Sequence, residues 1–321
     1  MTNMLAATVA GLMLILLATV LLSYFVEALR AVPEQPAQLT WDPKIPIHYV
    51  QANDIRHRYI KVGEGPPLVL LHTLRTQLDF FQKVIPELSQ HFTVYALDYP
   101  GHGFSDIPKV EYTPAFFVRS VSKFLEALDI KDAIVVGESI GGTLSLALAA
   151  KHNPRVKRAI AINPYDYDKG RGILRSSWIA KLIFGLNNVP SFGSTTWRLR
   201  SLIVFRMIMQ GGVYREDALP PALLQEMNEV GNRPHHYRAF MSLVRHFPEW
   251  EEARSEYGNV EIPVLLIYGD HDWSRPEERE TNQKTIPGSE MTMIENAGHF
   301  LSLDVPDAAI QRILDFGAGG T

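Results

Sequence analysis

The segment 137–142, GESIGG, constrains the fold of this chain more than any other stretch. It lies between an apolar, strand-like run, Asp132 to Val136, and a helix-like run, Thr143 to His152. A G-x-S-x-G turn from a strand into a helix is so tight that bulky neighbours would clash, and its strain lifts the serine oxygen clear of the sheet. Ser139 is therefore a candidate nucleophile, although the same pentapeptide also occurs in ordinary loops.

Strand-length apolar runs alternate with helical patterns on both sides of this turn. The alternation predicts a mostly parallel sheet with helices on both faces. We assign its first part to residues 47–164 and its second part to residues 259–321. The predicted strands are Pro67–His72, Phe92–Asp98, Ala133–Val136, Val156–Ile162, Val264–Tyr268 and Met291–Ile294. The predicted helices are Leu78–Ser89, Pro114–Leu128, Ile140–His152, Pro276–Lys284 and Pro306–Phe316.

Residues 1–30 contain a long uncharged stretch. Met4 to Val26 has 23 residues without a charge, and as a helix it would be about 34 Å long, enough to cross a bilayer's hydrocarbon. We predict a single-pass membrane anchor rather than a cleaved signal peptide, because no Lys or Arg precedes the stretch and no A-x-A site follows it closely. Arg30 and Lys44 follow it, which favours a cytoplasmic catalytic domain. Residues 31–46, with four prolines, are predicted to form a semi-rigid linker.

The alternation stops between Asn163 and Pro263, and we interpret residues 165–258 as an inserted helical cap. From Lys169 to Arg215 this segment has eight basic residues and no acidic one, interleaved with apolar side chains. That mixture is typical of helices at a membrane interface, but a cap packed on the domain with solvated basic edges fits equally well. The predicted anchor favours membrane contact.

Composition excludes several other functions. The chain has no cysteine, so disulfides, thiolate nucleophiles and cysteine-ligated metals are excluded. A net charge of -4 provides no electrostatic reason to expect a nucleic-acid partner. The 321 residues, 46% of them hydrophobic, can bury a large core, and they fit one domain with an insertion.

Two further motifs follow predicted strands near the end of the chain. Gly269-Asp270-His271-Asp272 follows the strand that begins at Val264, and His299 follows the strand that begins at Met291. Strand ends in an open parallel sheet gather at one edge, so these side chains are expected near Ser139. A histidine can take the serine proton, and a carboxylate behind it can orient the ring.

The order serine, aspartate, histidine resembles that of the α/β-hydrolase family over nearly all of Pro46 to Phe316. The segment 98–106, DYPGHGFSD, resembles the family's turn after its fourth strand. The resemblance implies an eight-stranded, mostly parallel sheet and assigns Ser139 as nucleophile, His299 as general base and Asp272 as orienting acid. The family's spacing from the strand-end glycine favours Asp272. The alternative acids are Asp270, Asp166 and Asp168.

The loop after the third strand departs from the family's pattern. The family usually has His-Gly there, whereas this chain has His72-Thr73. By position, the backbone N–H groups of Leu74 and Ile140 are expected to form the oxyanion hole. Arg75 either binds an anionic group of the substrate or points to solvent, and solvent exposure is favoured because isolated loop arginines are usually solvated. The resemblance implies no metal or organic cofactor.

A serine nucleophile argues against epoxide hydrolase and haloalkane dehalogenase activity, since those relatives form their intermediates on aspartate. We therefore expect a serine hydrolase that cleaves carboxylic esters, with lipid-like or other apolar acyl groups. The anchor, core and cap are together similar to membrane-bound monoacylglycerol lipases. A carbon-carbon bond hydrolase of the meta-cleavage type, an acyltransferase and a ligand-sensing receptor remain as alternatives.

Overall fold

The computed structural model describes residues 2–189 and 191–319, and a sheet forms the centre of its domain. Residues 1, 190, 320 and 321, which fall within the predicted anchor, cap and second core part, lie outside the described residues. The strands are β1 Ile47–Ala52, β2 Ile55–Val62, β3 Pro67–Leu71, β4 Thr93–Leu97, β5 Ala133–Glu138, β6 Val156–Ile162, β7 Val264–Gly269 and β8 Glu290–Ile294. The α-helices are α1 Thr2–Ala28, α2 Ile85–Leu88, α3 Pro114–Ala127, α4 Ile140–Ala150, α5 Trp178–Gly185, α6 Phe192–Leu199, α7 Leu202–Gln210, α8 Pro221–Val230, α9 His236–Arg245, α10 Phe247–Glu252, α11 Pro276–Thr285, α12 Leu301–Asp304 and α13 Pro306–Ala318.

The eight strands follow the order β1-β2-β4-β3-β5-β6-β7-β8. The pairs β1-β2 and β2-β4 are antiparallel, and the remaining pairs are parallel. Leu71 on β3 lies beside Gly137 on β5, and Ile162 on β6 lies beside Glu138 on β5 and Ile267 on β7. The carboxyl ends of these strands therefore share one edge. The predicted eight-stranded, mostly parallel sheet is confirmed.

Helices cover both faces of the sheet, and β3 shows why they must. Val69 and Leu71 pack with residues of α3 and α4, whereas Leu68 and Leu70 pack with residues of α2 and α13. Successive side chains of a strand point to opposite faces, so a strand that is apolar at every position needs cover on both sides.

One predicted helix is interrupted. In place of a continuous helix over Leu78 to Ser89, the structure has a 3₁₀ turn at Leu78–Phe81 and a separate short helix at Ile85–Leu88. Pro86 lies in the first turn of that second helix, where its missing N–H costs nothing. A continuous helix through Pro86 would lose a hydrogen bond and bring the proline ring against the preceding turn.

Helices α5 to α10 lie between β6 and β7, inside the range predicted for the cap. Several basic side chains of this segment are paired with acidic residues outside it. Arg175 lies 2.8 Å from a carboxylate oxygen of Glu278, and Arg200 lies 2.7 Å from one of Glu27. Two of the eight basic residues from Lys169 to Arg215 are therefore neutralised by acids far away in the sequence.

The outer surface of the cap nevertheless remains apolar and basic in places. Trp178 is 70% exposed and Leu182 46% exposed on α5, and Ile203 on α7 is 73% exposed. Lys181 and Arg206 are exposed on the same two helices. The contact between the cap and a membrane stays a prediction.

Helix α1 includes one segment, Met4–Ala28, with the length and apolar character of a membrane span, and its mean hydropathy is 2.6. Its central side chains, such as Leu14 and Leu16, are exposed. A signal sequence near the N-terminus can meet the same criteria of length and composition, so this helix is compatible with both interpretations.

The last turns of α1 pack on the cap. Arg198 Nε donates to the buried hydroxyl of Ser23 at 2.9 Å, and Arg200 Nη1 donates to Glu27 at 2.7 Å. Just beyond the helix, Arg30 Nη2 donates to the carbonyl oxygen of Arg198 at 2.8 Å. These contacts attach the C-terminal end of α1 to helix α6 and to the residue that follows it.

The segment predicted as a linker also contacts the core. Leu39 and Ile45 are buried in the apolar cluster on the α2 face. The Trp41 indole N–H donates to Asp79 at 2.8 Å. Truncation near His48 would remove these contacts, so experiments are best performed on the full chain in detergent.

Candidate active site

Three polar side chains from separate loops meet at the carboxyl edge of the sheet. Ser139 follows β5, Asp272 follows β7 and His299 follows β8. His299 Nε2 lies 2.8 Å from Ser139 Oγ, and its Nδ1 lies 2.5 Å from Asp272 Oδ1. All three residues are buried. One imidazole thus connects a hydroxyl to a carboxylate, the arrangement in which it can accept the hydroxyl proton.

The turn that carries Ser139 is strained and tightly packed. Ser139 has φ of 61° and ψ of -120°, a conformation that is uncommon for a residue with a side chain. A Cβ at Gly137 would lie 1.9 Å from the carbonyl oxygen of Gly141, and a Cβ at Gly141 would lie 2.0 Å from that of Leu71. The two glycines are therefore what allows α4 to begin so close to the sheet.

Asp272 is held by its own loop. The Ser274 N–H donates to it at 2.9 Å, the Ser274 hydroxyl also donates to it, and Arg279 Nε donates to that hydroxyl at 2.9 Å. Burial by itself would raise the pKa of Asp272, but His299 and the Ser274 hydrogen bonds outweigh burial and lower that pKa below its usual value. An ionised carboxylate here favours the tautomer with hydrogen on Nδ1, which leaves Nε2 free to accept a proton.

The alternative acids lie elsewhere. Asp270 accepts a hydrogen bond from a backbone N–H of the β8 loop at 3.1 Å. Asp166 accepts from the Tyr257 hydroxyl at 2.8 Å, and Asp168 forms an ion pair with Arg175 at 3.1 Å. None of the three contacts the imidazole, so the structure brings only Asp272 to it.

The predicted oxyanion donors belong to two segments near the serine. Ile140 is the first residue of α4, where backbone N–H groups have no partner within the helix. Leu74 follows β3 and borders the same pocket as Ser139. Within residues 2–189 and 191–319, neither N–H donates a recorded hydrogen bond. Both N–H groups are thus available to a developing oxyanion.

Threonine at position 73 is accommodated because the loop folds around its carbonyl group. That oxygen lies 2.9 Å from His72 Nδ1 and accepts from the Thr76 hydroxyl at 2.9 Å. The residue of this loop with positive φ is Arg75, at 55°. The glycine expected after the histidine is therefore not needed for this turn.

Ser139 opens into a narrow apolar pocket between core and cap. The core contributes its loop residues and the cap contributes the inner faces of its helices. The lining residues are Thr73, Leu74, Arg75, Ser139, Tyr165, Ile173, Phe184, Trp197, Phe205, Ile208, Met209, Phe240, Trp273 and Phe300. Apart from Arg75, the lining carries no charge, which favours an apolar ligand.

Arg75 lines this pocket and is 8% exposed. The alternative of a solvent-facing side chain is therefore wrong. Sequence reasoning favoured exposure because isolated loop arginines are usually solvated. The cap covers the Arg75 side chain. Arg75 and the cap residues are more than a hundred positions apart in the sequence, so no local pattern indicates their contact.

Two residues that sequence reasoning missed position His299. The Trp273 ring stacks on its imidazole, with centroids 3.8 Å apart and planes 11° from parallel. The Asn163 side chain donates to the His299 carbonyl oxygen at 2.9 Å and accepts from the Gly269 N–H at 2.9 Å. Asn163 thus joins the ends of β6, β7 and β8. The position of Asn163 directly after β6 was the sequence feature that could have indicated this role.

Among the described residues, no group of His, Asp or Glu side chains is arranged to hold a metal ion.

A family model for the α/β hydrolase fold matches residues 66–306. The chain belongs to the α/β-hydrolase family.

The relatives of this α/β hydrolase are named for different reactions. It is 27% identical over 265 residues to a pimeloyl-acyl-carrier-protein methyl ester esterase of Nitrosospira multiformis, covering 79% of this chain and 95% of the relative. It is 26% identical over 280 residues to a 2-hydroxy-6-oxo-2,4-heptadienoate hydrolase of Pseudomonas putida, covering 83% and 94%. Among solved structures, a bacterial membrane phospholipase A shares the fold with a TM-score of 0.72 and 20% identity, covering 99% of this chain and 96% of that one.

Replacing Gly141 of this α/β hydrolase with alanine is expected to destabilise it by about 3 kcal/mol, because the new Cβ would meet backbone atoms that cannot move aside cheaply. Thermal unfolding of the full chain measures the effect. Gly185→Ala at the end of α5 is the matched control, since a Cβ there meets nothing within 4 Å. Equal melting temperatures for the two variants would contradict the steric argument.

Glu138, beside the serine, predicts a pH dependence of stability in this α/β hydrolase. Burial raises the pKa of Glu138 to about 8, despite hydrogen bonds from the Ser302 hydroxyl and N–H. The unfolded chain releases this proton near pH 4.5, the ordinary value, so rising pH favours unfolding until the native carboxyl also ionises. The wild type should therefore lose on the order of 3 kcal/mol of stability relative to Glu138→Gln between pH 5 and pH 8.

Thermal unfolding of both proteins at the two pH values tests this expectation. Glutamine mimics the protonated acid, so the comparison isolates one proton from all other titrations. Parallel pH dependences for the wild type and Glu138→Gln would show that the carboxyl is not held protonated in the native state.

Proposed function

We propose that this protein is a serine hydrolase that cleaves carboxylic esters with apolar acyl groups. The observation that carries the proposal is the continuous hydrogen-bonded series Ser139, His299 and Asp272, which opens into an apolar pocket. The esterase of Nitrosospira multiformis, related over 95% of its length, is consistent with this reaction class.

The proposed reaction has two halves. Ser139 Oγ attacks the ester carbonyl carbon while His299 Nε2 takes its proton, and the carbonyl oxygen becomes an oxyanion between the N–H groups of Leu74 and Ile140. The C–O bond to the alcohol then breaks, and His299 returns the proton to the leaving oxygen. Water repeats the sequence on the acyl-enzyme, which releases the acid and restores the serine.

The pocket supports an apolar acyl group for a physical reason. Aromatic and aliphatic side chains of the cap, among them Phe184, Phe205 and Met209, face the serine side of the pocket. Each methylene transferred from water to such a lining gains about 0.8 kcal/mol. Longer acyl chains should therefore lower KM until the narrow pocket is full.

We also propose that α1 is retained as a membrane anchor. Cleavage beyond Ala28, the last residue of α1, would remove Ser23 and Glu27, the partners of Arg198, which is buried, and of Arg200, whose side chain is 5% exposed. Loss of a partner from a buried charge is costly, so the contacts favour an intact chain. The mass of the protein extracted from membranes distinguishes a retained anchor from a cleaved signal peptide. A mass that lacks the N-terminal segment indicates a signal peptide.

A series of p-nitrophenyl esters from acetate to laurate, hydrolysed by the full chain in detergent, tests the proposed function. We expect kcat/KM to rise with chain length through a maximum, because the pocket is apolar and closed by the cap. Absence of hydrolysis across the series, by protein that is folded and that binds the esters, would overturn the proposal in favour of a ligand-sensing role.

A carbon-carbon bond hydrolase is the second candidate, favoured by the relative from Pseudomonas putida at 26% identity. The same serine and histidine serve either reaction, so product analysis decides between them. Cleavage of a vinylogous 1,5-diketone acid with rates above those of every ester would favour this candidate. Transfer of the acyl group to an added alcohol in preference to water would indicate an acyltransferase.

A further inference from the structure

Arg75 is a buried cation that forms no ion pair with the residues that the structure describes. Its side chain lies in the pocket that also contains Ser139 and is 8% exposed. Its Nη2 atom is buried without a hydrogen-bond partner. Within residues 2–189 and 191–319, no carboxylate lies close enough to form an ion pair with it.

The groups around Arg75 do not neutralise its charge. Its guanidinium carbon lies 4.6 Å from the ring centroid of Phe205 and 5.6 Å from that of Phe240. Burial, together with Arg200 and Arg30, lowers the pKa of Arg75 to about 9, so it remains protonated at neutral pH. The aromatic faces attract the cation weakly, but they cannot accept its hydrogen bonds.

Glu27, the acidic partner of the two arginines that act on Arg75, is already engaged. Glu27 accepts from Arg200 at 2.7 Å and lies 3.3 Å from Arg30. On the other side, Arg75 Nη2 lies beside Gly231 at the end of α8, so close that a Cβ on that glycine would be 2.8 Å away. The end of α8 therefore leaves room for the guanidinium and contributes at most the partial negative charge of a helix C-terminus.

Burial of the unpaired Arg75 guanidinium costs free energy of folding. A buried cation without a counter-charge loses its hydration and gains little in return. The backbone of Arg75 also has positive φ, 55°, which disfavours a residue with a side chain. Unpaired, strained groups of this kind persist where a ligand completes their contacts.

We infer that Arg75 binds an anionic oxygen group, a carboxylate or a phosphate, that the ester substrate carries in addition to its scissile bond. The inference rests on the proposed ester hydrolysis and specifies its substrate class. A guanidinium forms two parallel hydrogen bonds to either group. An acyl chain bearing such a group would fill the apolar lining with its methylenes and pair its charge with Arg75.

A matched set of substrates tests the inference. The p-nitrophenyl ester of octanoate is compared with the mono-p-nitrophenyl ester of suberate, which has a terminal carboxylate, and with the ester of 8-phosphonooxyoctanoate. The wild type should prefer an anionic ester over octanoate in kcat/KM, and the better of the two anionic esters identifies the group. Arg75→Met should reduce that preference about 10- to 100-fold, and Arg75→Lys should reduce it less for phosphate than for carboxylate.

Arg206→Met, an exposed arginine on α7, is the control and should leave the preference unchanged. A wild type that favours octanoate, or a preference that Arg75→Met leaves unaltered, would overturn the inference while ester hydrolysis stands. Equal loss with all three esters in Arg75→Met would also overturn it, because that result describes a structural role.

Binding provides a readout that is independent of hydrolysis. Calorimetry with Ser139→Ala should detect monomethyl suberate more tightly than methyl octanoate, and the additional Arg75→Met change should abolish the difference. If no ester is cleaved by the wild type but this binding difference persists, the proposed function fails and the anion site stands. If the binding difference is absent, the anion site fails.

Discussion

Ser139→Ala is expected to lower kcat/KM for every ester by at least about 10⁴-fold, since removal of the proposed nucleophile would leave only binding and oxyanion stabilisation. The hydroxyl contributes little to packing at its site, so the melting temperature should stay close to that of the wild type. Hydrolysis of the best ester in the chain-length series and labelling by a fluorophosphonate probe both measure the loss.

Ser145→Ala is the matched control for this experiment. Ser145 is a buried serine of α4 whose hydroxyl donates to the Gly141 carbonyl oxygen at 3.0 Å, away from the imidazole. It should keep both labelling and hydrolysis. Labelling of Ser139→Ala at the wild-type rate would show that another residue is the nucleophile.

Asp272→Asn is expected to lower kcat by about 10³- to 10⁴-fold with little change in KM. The carboxylate accepts from Nδ1 of His299 at 2.5 Å. An amide at that position can donate its N–H to the ring instead, which favours the tautomer with hydrogen on Nε2 and removes the base that Ser139 needs. Steady-state kinetics on the same ester series measure the effect.

Asp270→Asn serves as the paired control, because Asp270 lies two positions earlier in the loop, where it accepts from the Ala297 N–H and lies 3.8 Å from His271 Nε2. Its kcat should stay within about threefold of the wild type. An equal loss in the two variants, or full activity of Asp272→Asn, would mean that the acid assignment is wrong and would return attention to Asp166.

The sequence predicted strands β3 to β8 and the meeting of three polar loops at one edge because both depend on local patterns, whereas β1 and β2 followed only from the family resemblance. Apolar runs such as Val156–Ile162 and Val264–Gly269 are buried strands regardless of their partners, and a loop that leaves a parallel strand emerges at a known edge. The interrupted helix at Pro86 shows the limit of periodicity, because apolar spacing continued across a residue that starts a new helix.

The contacts of the cap could not be predicted in the same way. Arg198 and Arg200 pair with Ser23 and Glu27 across about 175 positions, and no pattern in the cap segment specifies such partners. Trp273 was visible beside Asp272 in the sequence, but its stacking on His299 depends on how two loops approach each other.

The sequence by itself determined the sheet, the strained turn at Ser139 and the order of the polar loops along one edge, because strand burial and steric limits act between near neighbours. Only the tertiary structure decided that Asp272 reaches His299 and that the cap encloses Arg75 without a counter-charge. The physical reason is that hydrogen bonds and desolvation depend on distances of a few ångströms between segments remote in the chain, and these distances are set by the packing of the whole molecule.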